Sequence, residues 1–308
     1  MIKKYTLFIF ILVLTMAFLS PVLMAVPADY IVYFEYVKEG VNMSYTSFLD
    51  YVIFEPGYGS LLYLYSLGSL SNESYFLIIS NIILYYFIIK IFSNSSKHFS
   101  LNRRIFITII IVFNPLLFVL SSNIIRQLLA YAIFYTIITN INFERSKKIL
   151  KYLIFIIPFS IHISSLLLFL GYLIGLIIKF KNKSVIVFFL LAPLLFSQLL
   201  YKYFNLDLFH SFYDPPKIYL VIVSVILLIY LKFNNVKPTI FWSLYSPIAA
   251  TIGLYNFTEI SHRTILIIHY ILIFTFIFLL KKIDIKLLGI TVLLVISFFT
   301  VFIYNHVN

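Results

Sequence analysis

The chain has no cysteine, which excludes disulfide bonds and thiolate metal sites. Charged side chains are scarce as well, because Asp, Glu, Lys and Arg together make up 11% of the 308 residues. Only 8 glycines are present and none forms a glycine-rich phosphate loop, so nothing in the sequence indicates ATP binding. The motifs HExxH and GxSxG are also missing, and with them the signatures of a zinc protease and of an α/β-hydrolase.

Apolar residues dominate what is present. They make up 62% of the chain, aromatic residues make up 19%, and the mean hydropathy is +1.04. Repeated apolar runs of about twenty residues are long enough to cross a bilayer, so the composition predicts a polytopic helical membrane protein. The net charge of +12 would suggest a nucleic-acid partner for a soluble protein. In a membrane protein it reflects lysine and arginine in cytoplasmic loops, and we expect no nucleic acid.

The distribution of charge predicts the topology. Lys3 and Lys4 precede the first apolar run, which we interpret as an uncleaved anchor with a cytoplasmic N-terminus, a cleaved signal peptide being the competing interpretation. Residues 27–57 are rich in acids and form a predicted outer loop. The later apolar runs predict spans at 74–92, 105–121, 124–142, 149–162, 163–179, 184–201, 218–232, 238–256, 264–280 and 287–304. Alternating sides along these spans places most of the basic residues on the cytoplasmic side, as expected for a correct topology.

The fold prediction is therefore an all-α, multi-pass integral membrane protein with a cytoplasmic N-terminus. It forms a single membrane domain over 1–308 with about 11 transmembrane helices (range 10–12). A second outer loop is predicted at 202–217. The segment 58–70 is too short to cross independently, so we expect it to be a re-entrant or interfacial helix on the outer side.

The segment 152–178 is also short for the two membrane crossings predicted there. It holds about 27 residues between two basic clusters, whereas two full crossings need roughly 40. Pro158 and the stretch "SIHISS" therefore predict a turn within the outer leaflet. Irregular backbone at that depth is tolerated when it lines a watery cavity, and His162 would face such a cavity.

Two arginines lie on the predicted outer side, where basic residues are few. Arg126 in "SSNIIRQLLAYAIFY" and Arg263 in "NFTEISHRTILIIHY" each fall in the first turn of a helix that enters from outside. A guanidinium beside the positive end of a helix is suited to phosphate. The alternative is that each arginine reaches toward lipid head groups.

Other polar residues are weaker candidates. Glu55, before a Pro-Gly pair, is a base, a partner for an arginine or a solvated loop acid. His162 is a candidate proton acceptor, or a structural side chain that hydrogen-bonds a carbonyl. His262, beside Arg263, is a weaker candidate. We expect no metal site, because the Asp and His residues of the second outer loop have no recognised metal-binding spacing.

An ordered set of motifs resembles the EpsG family, the Wzy-like polysaccharide polymerases of bacterial envelope biosynthesis. The motifs are "ADYIVYFEYV", "FEPGYGSLLYLYSL", "NIIRQLLAYAIF", "SIHISSLLLFLGYL" and "EISHRTILIIHYILIF". The recurring family elements fall at 55–58, at Arg126 with Gln127, at His162 with Ser164, and at Arg263. Ile163 departs from the family, which often has a lysine at this position.

The resemblance implies a glycosyltransferase-type polymerase that joins oligosaccharide repeat units, each linked to undecaprenyl diphosphate, into an envelope or exopolysaccharide chain on the outer face. Arg126, Arg263 and Gln127 would bind the diphosphate, and His162 or Glu55 would act as the base. The resemblance also implies a place in the bacterial cytoplasmic (inner) membrane. No cofactor or metal is expected. The expected partners are the lipid-linked oligosaccharide and membrane lipid, with a chain-length regulator protein as a further candidate. Supporting roles are predicted for Tyr58, Ser164, Glu259, His262 and Asp29.

Two other functions compete with this one. A membrane glycosyltransferase that uses a polyprenyl-phosphate sugar would share the many-span layout, with Asp29 or Glu35 as its base. A lipid-linked oligosaccharide flippase or other transporter would instead line a central cavity with cations. The present sequence concentrates its outer cations at helix ends, which favours the polymerase.

Overall fold

The computed structural model of the protein describes residues 2–23, 28–68, 73–95, 99–112, 117, 125–140, 149–177, 236–253, 274 and 278. Over these ranges the chain is helical and contains no strand, which confirms the all-α prediction. Among the same residues no helix has both the length and the apolar character needed to cross a membrane. The number and direction of the membrane crossings stay a prediction.

The chain divides into two compact units, one of residues 1–165 with 283–308 and the other of residues 166–282. The first unit contains α1 (Ile2–Leu23), α2 (Ala28–Gly40), α3 (Tyr45–Tyr51), α4 (Pro56–Leu67), α5 (Glu73–Ser95), α6 (Leu101–Val112), α7 (Ile125–Asn140), the 3-10 helix η1 (Ile149–Phe155) and α8 (Ile156–Ile161). Helix α9 (Ser165–Ile177) begins at the last residue of the first unit, and α10 (Pro238–Gly253) belongs to the second.

Several helices coincide with predicted spans. Helices α5 and α7 match the predicted spans at 74–92 and 124–142. Helix α9 lies within the predicted span at 163–179, and α10 lies within the one at 238–256. The spans at 184–201, 218–232 and 287–304, the second outer loop at 202–217 and, apart from Phe274 and Phe278, the span at 264–280 lie outside the described residues.

The predicted outer loop at 27–57 contains two helices, α2 and α3. Helix α3 begins after Ser44, whose hydroxyl accepts a hydrogen bond from the backbone N–H of Ser47 at 3.3 Å and so satisfies one of the open donors of the first turn. Helix α2 buries Tyr33, Phe34 and Val37 on the side that packs against α4 and α5. This segment is therefore part of the packed structure.

The short predicted helix at 58–70 exists and is α4, which begins two residues earlier, at Pro56. Proline suits the first helical position, because its missing N–H has no intrahelical partner there and its φ is already helical. Helix α4 packs against α2, α3 and α8. Its depth in the membrane stays a prediction.

The turn expected near "SIHISS" lies at 162–164, between α8 and α9. His162 ends α8 with an extended backbone, at φ −156° and ψ 122°. Its carbonyl accepts from the N–H of Ser165 at 3.0 Å and from the Ser165 hydroxyl at 2.8 Å, and these bonds start α9. Pro158 lies inside α8 and does not form the break.

Most of helix α7 is buried. Along it Leu128, Ala130, Tyr131, Phe134 and Tyr135 are fully buried, and the helix packs against α5 on one side and α8 on another. Helix α5 in turn packs against α1. The first turn of α7 is thereby brought beside α8 and the 162–164 turn.

Within the second unit, α9 and α10 approach closely. The Ser246 hydroxyl donates to the carbonyl of Leu167 at 2.5 Å. A Cβ on Gly171 would overlap the carbonyl oxygen of Trp242, so this contact requires the absence of a side chain.

Candidate functional site

The carboxylate of Glu55 joins three segments of the chain. Its Oε2 accepts a hydrogen bond from Nη1 of Arg126 at 2.8 Å, and its Oε1 accepts one from the backbone N–H of Ile163 at 2.9 Å. The Arg126 and Glu55 side chains are 18% and 21% exposed. A partly buried, charge-assisted pair of this geometry is stronger than an ordinary surface ion pair. The contact therefore holds the start of α4, the first turn of α7 and the 162–164 turn together.

The local structure explains why the Glu55 carboxylate points away from its own helix. Glu55 is the N-cap residue of α4, and its carbonyl accepts from the N–H groups of Tyr58 and Gly59, each at 3.0 Å. Its side chain makes no capping hydrogen bond. Pro56 supplies no N–H at the first helical position, which lowers the demand for a side-chain cap. The carboxylate can therefore reach across to α7 and to the turn.

Gly57 allows α4 to approach α8. A Cβ at this position would overlap the Ser160 hydroxyl and lie 2.7 Å from the Ser160 carbonyl oxygen. Such contact with a backbone atom cannot be relieved by rotating a side chain. The Pro-Gly pair after Glu55 thus has two functions, since Pro56 starts the helix and Gly57 lets it sit against α8.

Arg126 lies on an aromatic surface. Its guanidinium carbon is 4.5 Å from the centroid of the Phe54 ring and 6.0 Å from that of Tyr58. The bond to Glu55 uses one of the five guanidinium N–H groups. Its Nε is buried and has no hydrogen-bond partner among the described residues. The cation is therefore fixed by a ring and a carboxylate, and most of its donors remain for a ligand.

Helix α2 holds these rings in position. The centroid of Tyr33 is 5.2 Å from that of Phe54 and 5.1 Å from that of Tyr58, both in edge-to-face geometry. Tyr36 approaches Phe54 in the same way at 5.2 Å. Aromatic pairs favour this arrangement, and each contributes roughly 0.5–1.5 kcal/mol beyond its buried area. The predicted outer loop thus supports the arginine directly.

His162 is oriented by the residue two positions further on. Its Nδ1 accepts from the backbone N–H of Ser164 at 3.1 Å and lies 2.7 Å from the Ser164 hydroxyl. The side chain is half-buried at the start of the 162–164 turn. Because the N–H of the intervening residue, Ile163, binds Glu55, the histidine and the ion pair are parts of one site.

Helix α7 also carries a buried polar pair. Nε2 of Gln127 donates to the Tyr131 hydroxyl at 3.0 Å. Gln127 and Tyr131 are both buried. Gln127 therefore lies next to Arg126 in sequence but turns toward the interior, where it bonds Tyr131.

Six of the residues predicted from sequence are brought together: Glu55, Tyr58, Arg126, Gln127, His162 and Ser164. Arg263, Glu259 and His262 lie outside the described residues, and Asp29 lies in the first turn of α2. Within the ranges that the structure describes, no three His, Asp or Glu side chains are grouped in a way that could hold a metal ion.

Sequence reasoning missed three components of the site. Tyr131 could have been found, because it lies four residues after Gln127 and so on the same helix face. Phe54 had only its position beside Glu55 as a signal. The backbone N–H of Ile163 had none, since a main-chain donor leaves no trace in a side-chain pattern. Ile163 in place of a lysine does not affect this contact, because its side chain points outward and is 60% exposed.

The described residues are helical, the sequence is strongly apolar, and a paired arginine lies beside a turn that carries a histidine. Comparison with protein families matches residues 6–308 to the EpsG family, and the chain belongs to that family. It is therefore a membrane protein of polysaccharide biosynthesis. No curated protein and no solved structure matches the chain.

Proposed function

We propose that the protein polymerises undecaprenyl-diphosphate-linked oligosaccharide repeat units into an envelope or exopolysaccharide chain at the outer face of the bacterial cytoplasmic membrane. The observation that carries the proposal is the Glu55–Arg126 pair. Glu55 and Arg126 come from two of the family motifs. They meet at the 162–164 turn, which carries a third motif, that of His162 and Ser164. The protein is then a multi-pass enzyme with a cytoplasmic N-terminus and without a cofactor.

The reaction transfers a sugar from one lipid carrier to an acceptor. An acceptor hydroxyl attacks the anomeric carbon of the donor, a new C–O bond forms, and the C–O bond to the diphosphate breaks. The bonding electrons leave with the diphosphate, whose negative charge increases. Donors placed in advance around that charge are the largest contribution available to such a site.

Arg126 is suited to this task. Phe54 and Glu55 hold its guanidinium in one orientation, and four of its N–H groups are not used by Glu55. Binding of an arginine to a diphosphate is often bidentate and needs such an ordered fork. Arg263 is proposed to bind the same diphosphate.

Glu55 is proposed to position Arg126 rather than to act as the base. Both of its carboxylate oxygens already accept a hydrogen bond, one from a cation and one from a backbone N–H. The carboxylate is thereby committed to holding Arg126 and the 162–164 turn in place. The proton of the acceptor hydroxyl is proposed to pass to the departing diphosphate, which gains an anionic oxygen as the C–O bond breaks.

The experiment deletes the gene and restores it with variants, then measures polysaccharide length and extracts lipid-linked repeat units. Deletion and Arg126→Ala should both abolish long polymer and leave single repeat units on the outer leaflet. Arg103→Ala is the matched control, because Arg103 also lies over an aromatic ring, that of Phe99 at 4.1 Å, but is outside the site.

Membrane levels of each variant are measured by immunoblot. Long polymer in the deletion strain would overturn the proposal. Repeat units confined to the cytoplasmic leaflet would indicate a transporter instead. Normal polymer in the Arg126→Ala variant would show that Arg126 does not bind the diphosphate.

A further inference from the structure

We infer that Phe54, Tyr36 and Tyr51 form a sugar-binding surface that leads away from Arg126 and binds the first sugars of the donor repeat unit. The identity of this ligand rests on the proposed function, because Arg126 is the residue assigned there to the diphosphate that carries those sugars. The surface itself rests on the contacts, the exposure and the charge around the three rings.

The three rings are joined by direct contacts. The ring centroid of Tyr51 is 5.4 Å from that of Tyr36, and the Tyr36 centroid is 5.2 Å from that of Phe54, both in edge-to-face geometry. The Phe54 centroid in turn lies 4.5 Å from the guanidinium carbon of Arg126. This aromatic row therefore connects the last residue of α3 with the cation of the site.

The aromatic row is most accessible at the end far from Arg126. Phe54 and Tyr36 are half-buried, whereas Tyr51 is 48% exposed. Large apolar rings in a folded chain are usually covered, and exposed ones that continue from a site are typical of a surface that receives a ligand. Tyr51 therefore offers a ring to a ligand that is already held at Arg126.

The surroundings of the aromatic row are acidic, which favours a neutral ligand rich in hydroxyl groups. Glu35 and Glu39 flank Tyr36 on α2, Asp50 precedes Tyr51 on α3, and all three acids are exposed. Together the two helices hold four acids and one lysine. Charged side chains are costly in hydrocarbon, so the row lies at a polar surface. Carboxylates repel the phosphates of lipid head groups but accept hydrogen bonds from sugar hydroxyls.

Aromatic rings suit the sugar part of the proposed substrate. One face of a sugar ring presents C–H groups with a small positive charge, and the face of an aromatic ring carries a negative potential. Such a contact holds the sugar by its shape and leaves its hydroxyls for hydrogen bonds. The first sugars of the donor are joined directly to the diphosphate, so a surface that begins at Arg126 is within their reach.

The first test measures binding without any assay of polymer formation. The probe is the envelope polysaccharide of the wild-type strain, cut by partial acid hydrolysis into short oligosaccharides, and the full-length protein is held in lipid nanodiscs. Titration followed by saturation-transfer NMR gives the dissociation constant. We expect Tyr51→Ala to weaken binding by about 3–10-fold, the effect of one aromatic contact, and Tyr51→Phe to stay within about 2-fold of wild type.

Tyr45→Ala is the matched control for the loss of an exposed ring. Tyr45 lies on the same helix as Tyr51 and is 45% exposed, but its ring contacts Tyr63, at 5.3 Å between centroids. Tyrosines that only anchor the protein at the membrane surface would be equivalent in this comparison. Equal weakening by Tyr45→Ala and Tyr51→Ala, or unchanged binding in Tyr51→Ala, would overturn the sugar-binding surface.

Polymer length tests the same surface in cells. We expect Tyr51→Ala to give shorter chains at normal membrane levels, because a donor that is held less firmly dissociates after fewer transfers, and Tyr51→Phe to restore the wild-type length. Wild-type length in Tyr51→Ala would overturn the sugar-binding surface and leave the polymerase proposal intact. Oligosaccharide binding that depends on Tyr51, in a protein whose deletion leaves long polymer, would instead support the surface and overturn the polymerase proposal.

Discussion

Glu55 and Arg126 form an ion pair of 2.8 Å although 71 residues separate them in the chain. The pair does not stand alone, because the second carboxylate oxygen binds the backbone of Ile163. Any change that moves α4, α7 or the 162–164 turn must therefore alter the position of the Arg126 guanidinium or its contact with Glu55.

The coupling of the pair is measurable. Glu55→Gln keeps the shape of the side chain but removes its charge, and Arg126→Gln removes the charge of its partner with a shorter polar side chain. Because both side chains are mostly buried, we expect each variant alone to be less stable than wild type and the double variant to be less stable by less than the sum. The interaction energy should be on the order of 1 kcal/mol, from thermal unfolding in detergent.

Glu39→Gln serves as the control for the loss of one acid, because Glu39 is exposed on α2. Strictly additive effects of Glu55→Gln and Arg126→Gln would show that the contact contributes nothing.

Gly57 should not tolerate a side chain. Gly57→Ala pushes a methyl group into Ser160, and we expect a loss of about 1–3 kcal/mol in unfolding free energy together with loss of polymer. Ser160→Ala should not rescue it, because the Ser160 carbonyl oxygen obstructs the same space. Gly59→Ala meets mainly the flexible Leu49 side chain and should be milder. Equal stability of Gly57→Ala and wild type would contradict the close approach of α4 and α8.

Phe54 should contribute through its ring. Phe54→Leu preserves apolar volume but removes the surface under the guanidinium, which contributes about 0.5–2 kcal/mol in such contacts. We expect weaker polymer formation at normal membrane levels. Tyr36→Phe retains the ring that contacts Phe54 and should behave as wild type. If Phe54→Leu supports full polymer length, the Phe54 ring does not help to fix the orientation of the Arg126 guanidinium.

Variants at position 163 distinguish a role of the Ile163 backbone N–H from a role of the side chain. Ile163→Lys introduces the residue that the family often has there, and its exposed side chain leaves the N–H unchanged, so we expect normal polymer. Ile163→Pro removes the N–H that Glu55 accepts and should abolish it. Ile163→Ala is the control for loss of the side chain. Activity in the proline variant together with inactivity in the lysine variant would reverse this assignment.

The sequence alone could predict the members of the site better than their contacts. Glu55, Arg126 and His162 were expected on one side of the protein, because charge sorting and helix-start signals are local or statistical properties. That Glu55 would be the partner of Arg126 remained one of three alternatives, since the pairing depends on how α4 seats against α8. The helices α2 and α3 were not expected within the acidic outer segment, where aromatic residues on several sides obscure the helical period.

The close contact at Gly57 and the main-chain bond at Ile163 also bear on how relatives can diverge. Both connections depend on the backbone, so the outward side chains around them are under little constraint from the site itself. Ile53, 80% exposed immediately before the pair of Phe54 and Glu55, and Ile163 are such positions. Under the proposed function, adaptation to a different repeat unit would alter the rim of the site without rebuilding the cation at its centre.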